Sequence, residues 1–97
     1  MINVVYADKF IKDLKSLKST PYYQRLREFC FEEIAALHTT QEVFAISHIK
    51  KLEGHTTYYR FRIGDYRVGV EIIVVEETIR ILRVLHRSKI YDFFPNL

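Results

Sequence analysis

The 97-residue chain has room for one compact domain over residues 1–97 and too little for two. A 48% hydrophobic content with three glycines and two prolines excludes the disordered, low-complexity and solenoid classes. Fifteen basic against twelve acidic residues give a mild net charge of +3, a lone Cys30 excludes an intrachain disulfide and favours the cytoplasm, and no apolar run reaches the length of a membrane span.

The N-terminus MINVVYADKF lacks the order of a signal peptide, so neither export nor a membrane partner is expected. Residues 2–6, short and rich in β-branched side chains, predict a strand. Asp8 is placed to cap a helix running to Leu17, with Phe10, Leu14 and Leu17 on one stripe. Thr20 and Pro21 predict the start of a second helix over Tyr22 to Leu37, its stripe made by Tyr23, Leu26, Cys30, Ile34 and Leu37. The short polar link between them predicts an antiparallel helical hairpin. Residues 38–57 have no clean period and read as an irregular connection with a short strand or turn at Ile46 to Lys51.

Residues 58–74, YYRFRIGDYRVGVEIIV, predict a β-hairpin turning at Gly64-Asp65. A two-residue loop sets Ile63 opposite Tyr66, Arg62 opposite Arg67 and Arg60 opposite Gly69, which makes one face apolar and the other cationic. Gly69 is expected to leave open space beside the arginines. A third strand over Thr78 to His86, turning at Glu76-Glu77, pairs Val74 with Ile79 and Arg67 with His86 in this reading. The whole predicts an α+β domain in β-α-α-β-β-β order, a small antiparallel-dominated sheet packed on the N-terminal helical hairpin. Arg83 falls on the covered face, where it is expected near the rim and paired with a helix glutamate.

Arg62, Arg67 and His86 then form a row across three strands. Like charges facing each other on a sheet are destabilising, and a bound phosphate would relieve them. A transesterifying ribonuclease needs a base for the 2′-hydroxyl, cations for the phosphorane charge and an acid for the leaving oxygen, which arginines with a histidine can supply. His38, His48, His55 and Cys30 lack metal-ligand spacing, so no metal or other cofactor is expected. No Gly-rich phosphate loop or nucleophile elbow is present.

KKLEG at 50–54, YYRFRIGDYRVGVEI at 58–72 and ILRVLHRSKIYDFFP at 81–95, together with FIKDLKSL in the first helix, resemble the RelE/ParE superfamily of type II toxins. The resemblance implies a toxin neutralised by a cognate, RelB-like antitoxin. For the RelE branch it implies an mRNA interferase that cleaves ribosome-bound mRNA by attack of the 2′-hydroxyl on the adjacent phosphate, inhibiting translation. By motif it implies a catalytic set of Lys51 near the 2′-hydroxyl, Arg67 on the scissile phosphate, Arg87 near the leaving group and Tyr91 on the nucleotide, with His86 as acid or base. Lys50, Arg60, Arg62 and Lys89 complete the candidates as RNA-binding positions. Two alternatives share the fold: a ParE-like inhibitor that binds DNA gyrase without catalysis, and a basic module that only grips its antitoxin.

Overall fold

The computed structural model describes residues 2–95. A five-stranded sheet in the order β1-β5-β4-β3-β2 is covered on one face by helices. β1 (Asn3–Tyr6) pairs parallel with β5 (Thr78–His86), Val4 lying opposite Ile79. The remaining pairs, β5 with β4 (Tyr66–Ile73), β4 with β3 (Tyr58–Ile63) and β3 with β2 (Ile49–Lys51), are antiparallel.

α1 (Asp8–Ser16) buries Phe10 and Leu14, as the stripe requires. Ala7 is its N-cap and makes no side-chain cap bond, so Asp8 lies inside the first turn instead of capping it. A carboxylate there still complements the positive end of the helix dipole. The second helix departs further from expectation. The Thr20 hydroxyl donates back to the Leu17 carbonyl at 2.8 Å, and α2 begins only at Tyr23 and ends at Glu28. A π-turn, Phe29–Glu33, follows. The extra residue in this wide turn brings Arg25 and Glu33, eight positions apart, onto one side as an ion pair. At the same turn the Cys30 carbonyl accepts a hydrogen bond from the Tyr6 hydroxyl at 2.9 Å, which ties the helix to β1.

The connection after the helices holds a short helix, α3 (Thr40–Phe44), opened by a reciprocal capping box between Thr39 and Glu42. Glu77, in the left-handed region at φ 47°, ends the turn between β4 and β5 and reaches across to α3. Its carboxylate accepts from the Thr40 amide at 3.1 Å and the Thr40 hydroxyl at 2.9 Å, satisfying a threonine that is almost fully buried.

The β3–β4 hairpin has the expected register, with Ile63 opposite Tyr66, Arg62 opposite Arg67 and Arg60 opposite Gly69. The next pairing does not. A four-residue turn sets Ile73 opposite Thr78 and Ile72 opposite Ile79, two residues from the expected alignment, which keeps the faces unchanged. A bulge then intervenes: Val70 faces Ile81 but Gly69 faces Arg83, so Leu82 is the extra residue in β5. An extra residue turns everything beyond it to the opposite face. Arg67 therefore lies opposite Leu85, and His86 lies opposite Tyr66.

The helical face of the sheet buries Phe61, Val68, Val70, Ile72, Ile79, Ile81 and Val84 against Phe10, Leu26, Phe29 and Ile34. The other face has a smaller apolar cluster of Leu52, Ile90 and Phe94, flanked by Tyr58, Leu82 and Leu85. It is built by a last short helix, α4 (Ile90–Phe93), and by Phe94. The Phe94 ring occupies the space that sequence reasoning left open at Gly69, since a Cβ there would lie 2.8 Å from three ring carbons. Arg83 is held at the α1 edge by Asp13, an aspartate and not a glutamate, with N···O distances of 2.8 and 3.0 Å. The same carboxylate accepts from the Val84 amide at 3.1 Å.

Candidate functional site

The face of the sheet left by the helices carries the cations. Strand alternation puts Arg60 and Arg62 of β3 on it, Arg67 faces Arg62 from β4, and Lys50 faces Arg60 from β2. The bulge at Leu82 supplies the fourth arginine: Arg87, one residue past β5, comes close enough to add its like charge to Arg67, its amide donating to the Asp65 carbonyl at 2.8 Å. From above, Tyr91 of α4 accepts a hydrogen bond from Arg60 Nε at 3.1 Å.

Two adjoining clefts open between these residues. One, of about 500 Å³, is lined by Lys50, Lys51, Arg60, Tyr91 and Phe94, and by Glu53 and His55. The other, of about 300 Å³, lies among His48, Lys50, Arg60, Arg62 and Arg67. Lys50 and Arg60 line both, so they form one continuous basic trough beneath α4.

Arg67 bears the electrostatic load. Its Nη1 donates to the Gly64 and Tyr66 carbonyls, each at 3.1 Å, which fixes the guanidinium over the turn. Partial burial, then the like charges of Arg60 and Arg62 and, more weakly, Arg87, push its pKa below the ordinary guanidinium value. The ion pairs among the described residues, Arg25–Glu33, Arg80–Glu71 and Arg83–Asp13, include none of the four arginines of this face. An anion entering the trough would meet charges that the protein leaves uncompensated.

The expected residues are thus only partly brought together. Arg60, Arg62, Arg67, Lys50 and Tyr91 line the two clefts, and Arg87 lies near enough to Arg67 to add its like charge. Lys51 lies opposite Tyr59, so its side chain starts from the helical side of β2 and lines the cleft from the sheet edge; Lys50 is the lysine in line with Arg60. Lys89 is exposed at the N-cap of α4 and lines neither cleft. His86 is not in the row with Arg62 and Arg67, because the bulge turns it to the other side. Its ring packs edge-on against Tyr66, itself against Tyr22 of the helical layer, and its Nδ1 lies 2.9 Å from Ser88 Oγ.

The residue that sequence reasoning missed is His48. Its Nδ1 lies 3.2 Å from Arg62 Nη2, and its backbone adopts φ 66° immediately before β2. The signal was the two-residue spacing to Lys50, which places both on one side of a strand. Cys30, by contrast, is buried and its thiol is pushed up to about 12 by desolvation, which makes it an inert packing group. No group of three His, Cys, Asp or Glu side chains that could hold a metal ion occurs among the described residues. Nor is any helix among them long and apolar enough to cross a membrane.

Residues 4–91 match the family model described as the ParE toxin of the type II toxin-antitoxin system parDE. The chain is 40% identical over 95 residues to toxin RelE3 of Methanocaldococcus jannaschii, covering 97% of this chain and all of that one. It superposes on the RelB-RelE antitoxin-toxin complex from Methanococcus jannaschii with a TM-score of 0.69 at 35% identity, over 94% of this chain and 99% of that chain. An archaeal RelE-RelB complex from Pyrococcus horikoshii gives a TM-score of 0.59 at 28% identity, covering 91% and 97% of the two chains.

Proposed function

The chain belongs to the ParE toxin family of type II toxin-antitoxin systems, and from that premise we propose that it is an endoribonuclease that cuts ribosome-bound mRNA and so blocks translation. The observation that carries this is the convergence of Arg60, Arg62 and Arg67 on one open trough, with Arg87 near enough to add its charge to Arg67, all four outside every ion pair among the described residues. Four like charges held together raise the free energy of the empty site, and a phosphodiester passing to a dianionic phosphorane relieves them most at the transition state. Arg67, fixed by two carbonyls, holds the scissile phosphate with Arg62; Arg87 neutralises the leaving oxygen. Tyr91, 61% exposed over the trough, offers its ring to a base. Lys51, with Lys50, grips the nucleotide from the sheet edge. The attacking group is the adjacent 2′-hydroxyl.

A cognate RelB-like antitoxin is the proposed partner, since the M. jannaschii and P. horikoshii structures are toxin-antitoxin complexes. The test is induced expression with and without a candidate antitoxin, followed by primer extension on a reporter mRNA. Growth arrest with discrete cuts is expected, and Arg67→Ala should abolish both while the protein still accumulates. The name of the matching family model supports a second reading, a noncatalytic gyrase inhibitor. Growth arrest with intact mRNA and a DNA-damage response would establish that one instead.

A further inference from the structure

The row crossing the sheet at the hairpin does contain a histidine, on the β2 side. Ile49 lies opposite Phe61, so one step further His48 comes opposite Arg62, and the Arg62 amide donates to the His48 carbonyl at 3.2 Å. Arg62 faces Arg67, which sets His48, Arg62 and Arg67 in one line on the open face. The side chains repeat the alignment, with Arg62 Nη2 at 3.2 Å from His48 Nδ1. A guanidinium has donors only, so this contact is a hydrogen bond when Nδ1 accepts, in the tautomer that carries its proton on Nε2.

The charged groups around the ring are Lys50 on its own strand, Arg60 and Arg62 on β3 and Arg67 on β4, with Arg25 and Glu33 of the helical layer across the neighbouring groove. Arginine cannot serve as a base at neutral pH, and His86 faces the other way. His48 is the imidazole whose lone pair is held at the cation trough by one of its own arginines.

We propose that His48 is the proton acceptor of the trough: an RNA phosphate draws Arg62 away from Nδ1, and the freed nitrogen takes the proton of the attacking 2′-hydroxyl. The inference rests on the ribonuclease reading above. As O2′ bonds to phosphorus its proton passes to His48 Nδ1. The P–O5′ bond breaks with its electron pair on O5′, which water protonates, and the imidazolium returns its proton to the hydroxide so formed. The products are a 2′,3′-cyclic phosphate and a 5′-hydroxyl. Arg62 acts as a latch, so the base is released only where an anion has replaced it as the arginine's partner.

The test is single-turnover cleavage of a defined mRNA on purified ribosomes as a function of pH. His48→Asn keeps a residue that tolerates the left-handed backbone and an oxygen that can accept from Arg62, but cannot take up a proton. It should lose cleavage by roughly 10²–10⁴-fold, keep ribosome binding, and lose the rise in rate across the range where imidazole deprotonates. His48→Gly, also suited to that backbone, should recover cleavage when free imidazole is added. A His48→Asn protein with the wild-type rate and pH profile, alongside an inactive Arg67→Ala, overturns the role of His48 and leaves the ribonuclease reading intact. A wild-type chain that cuts no mRNA removes both.

Discussion

Gly69 is where a single hydrogen atom decides the shape of the site. It sits on the cationic face between the arginines, and the Phe94 ring lies flat in the space a side chain would need. Gly69→Ala should cost about 1–3 kcal/mol in urea unfolding, because the contact at 2.8 Å is to a packed aromatic ring that must leave its place. The displaced segment carries Tyr91, so the same variant should also weaken RNA binding; unchanged stability and binding would show that the ring is free to swing aside. At this scale the sequence was half legible. Alternation around Gly64-Asp65 was enough to place Arg60, Arg62 and Arg67 together, because a two-residue turn leaves one register. Nothing local told that Gly69 would be filled from a segment 25 residues onward, nor that Thr20 would bond backwards to Leu17.

Among the elements, strands were easier to read than their pairing, and the reason is arithmetic. The bounds of β5, Thr78 to His86, follow from its β-branched run, but its register depends on a four-residue turn and on one extra residue at Leu82, neither of which leaves a mark in composition. The π-turn at Phe29–Glu33 was hidden in the same way, since an apolar stripe at spacings of three and four tolerates an insertion. α3 is a different case: Thr39 with Glu42 is a capping-box signature, and it stood in plain sight within a stretch read as irregular. That box gives a pH dependence. Hydrogen bonds from the His38 and Thr39 amides, at 2.8 and 3.0 Å, hold the Glu42 carboxyl below the usual carboxylate range. Its folded value being depressed, the charged box is intact above the ordinary glutamate range and is lost as the pH falls through the folded value. The His38 and Thr39 amide resonances should therefore shift with an inflection more acidic than that of a free glutamate. An inflection at the free-peptide value would show that the box does not persist in solution.

Across the whole molecule a net charge of +3 conceals a local concentration. The helical layer mixes Asp8, Asp13, Glu28, Glu32 and Glu33 with Lys9, Lys12, Lys15, Lys18, Arg25 and Arg27, whereas the opposite face gathers Lys50 with the four arginines. RNA binding should accordingly be steep in salt: with about five phosphates neutralised, log K should fall by roughly 3–4 per decade of salt, given about 0.7 per contact for a single strand. Removing Arg60 should lower that slope by somewhat less than one unit, and a slope near zero would mean that RNA does not lie in the trough. The single bulge at Leu82 also sets a rule for comparing this chain with its relatives. Two sequences can agree at every letter of the HR pair at 86–87 and still present opposite residues to the substrate, if one of them lacks a residue between the turn and that pair. Identity scores count such a gap as a trivial edit, although it changes which member of the pair meets the ligand. Equivalent positions in this strand must therefore be counted from the bulge outward.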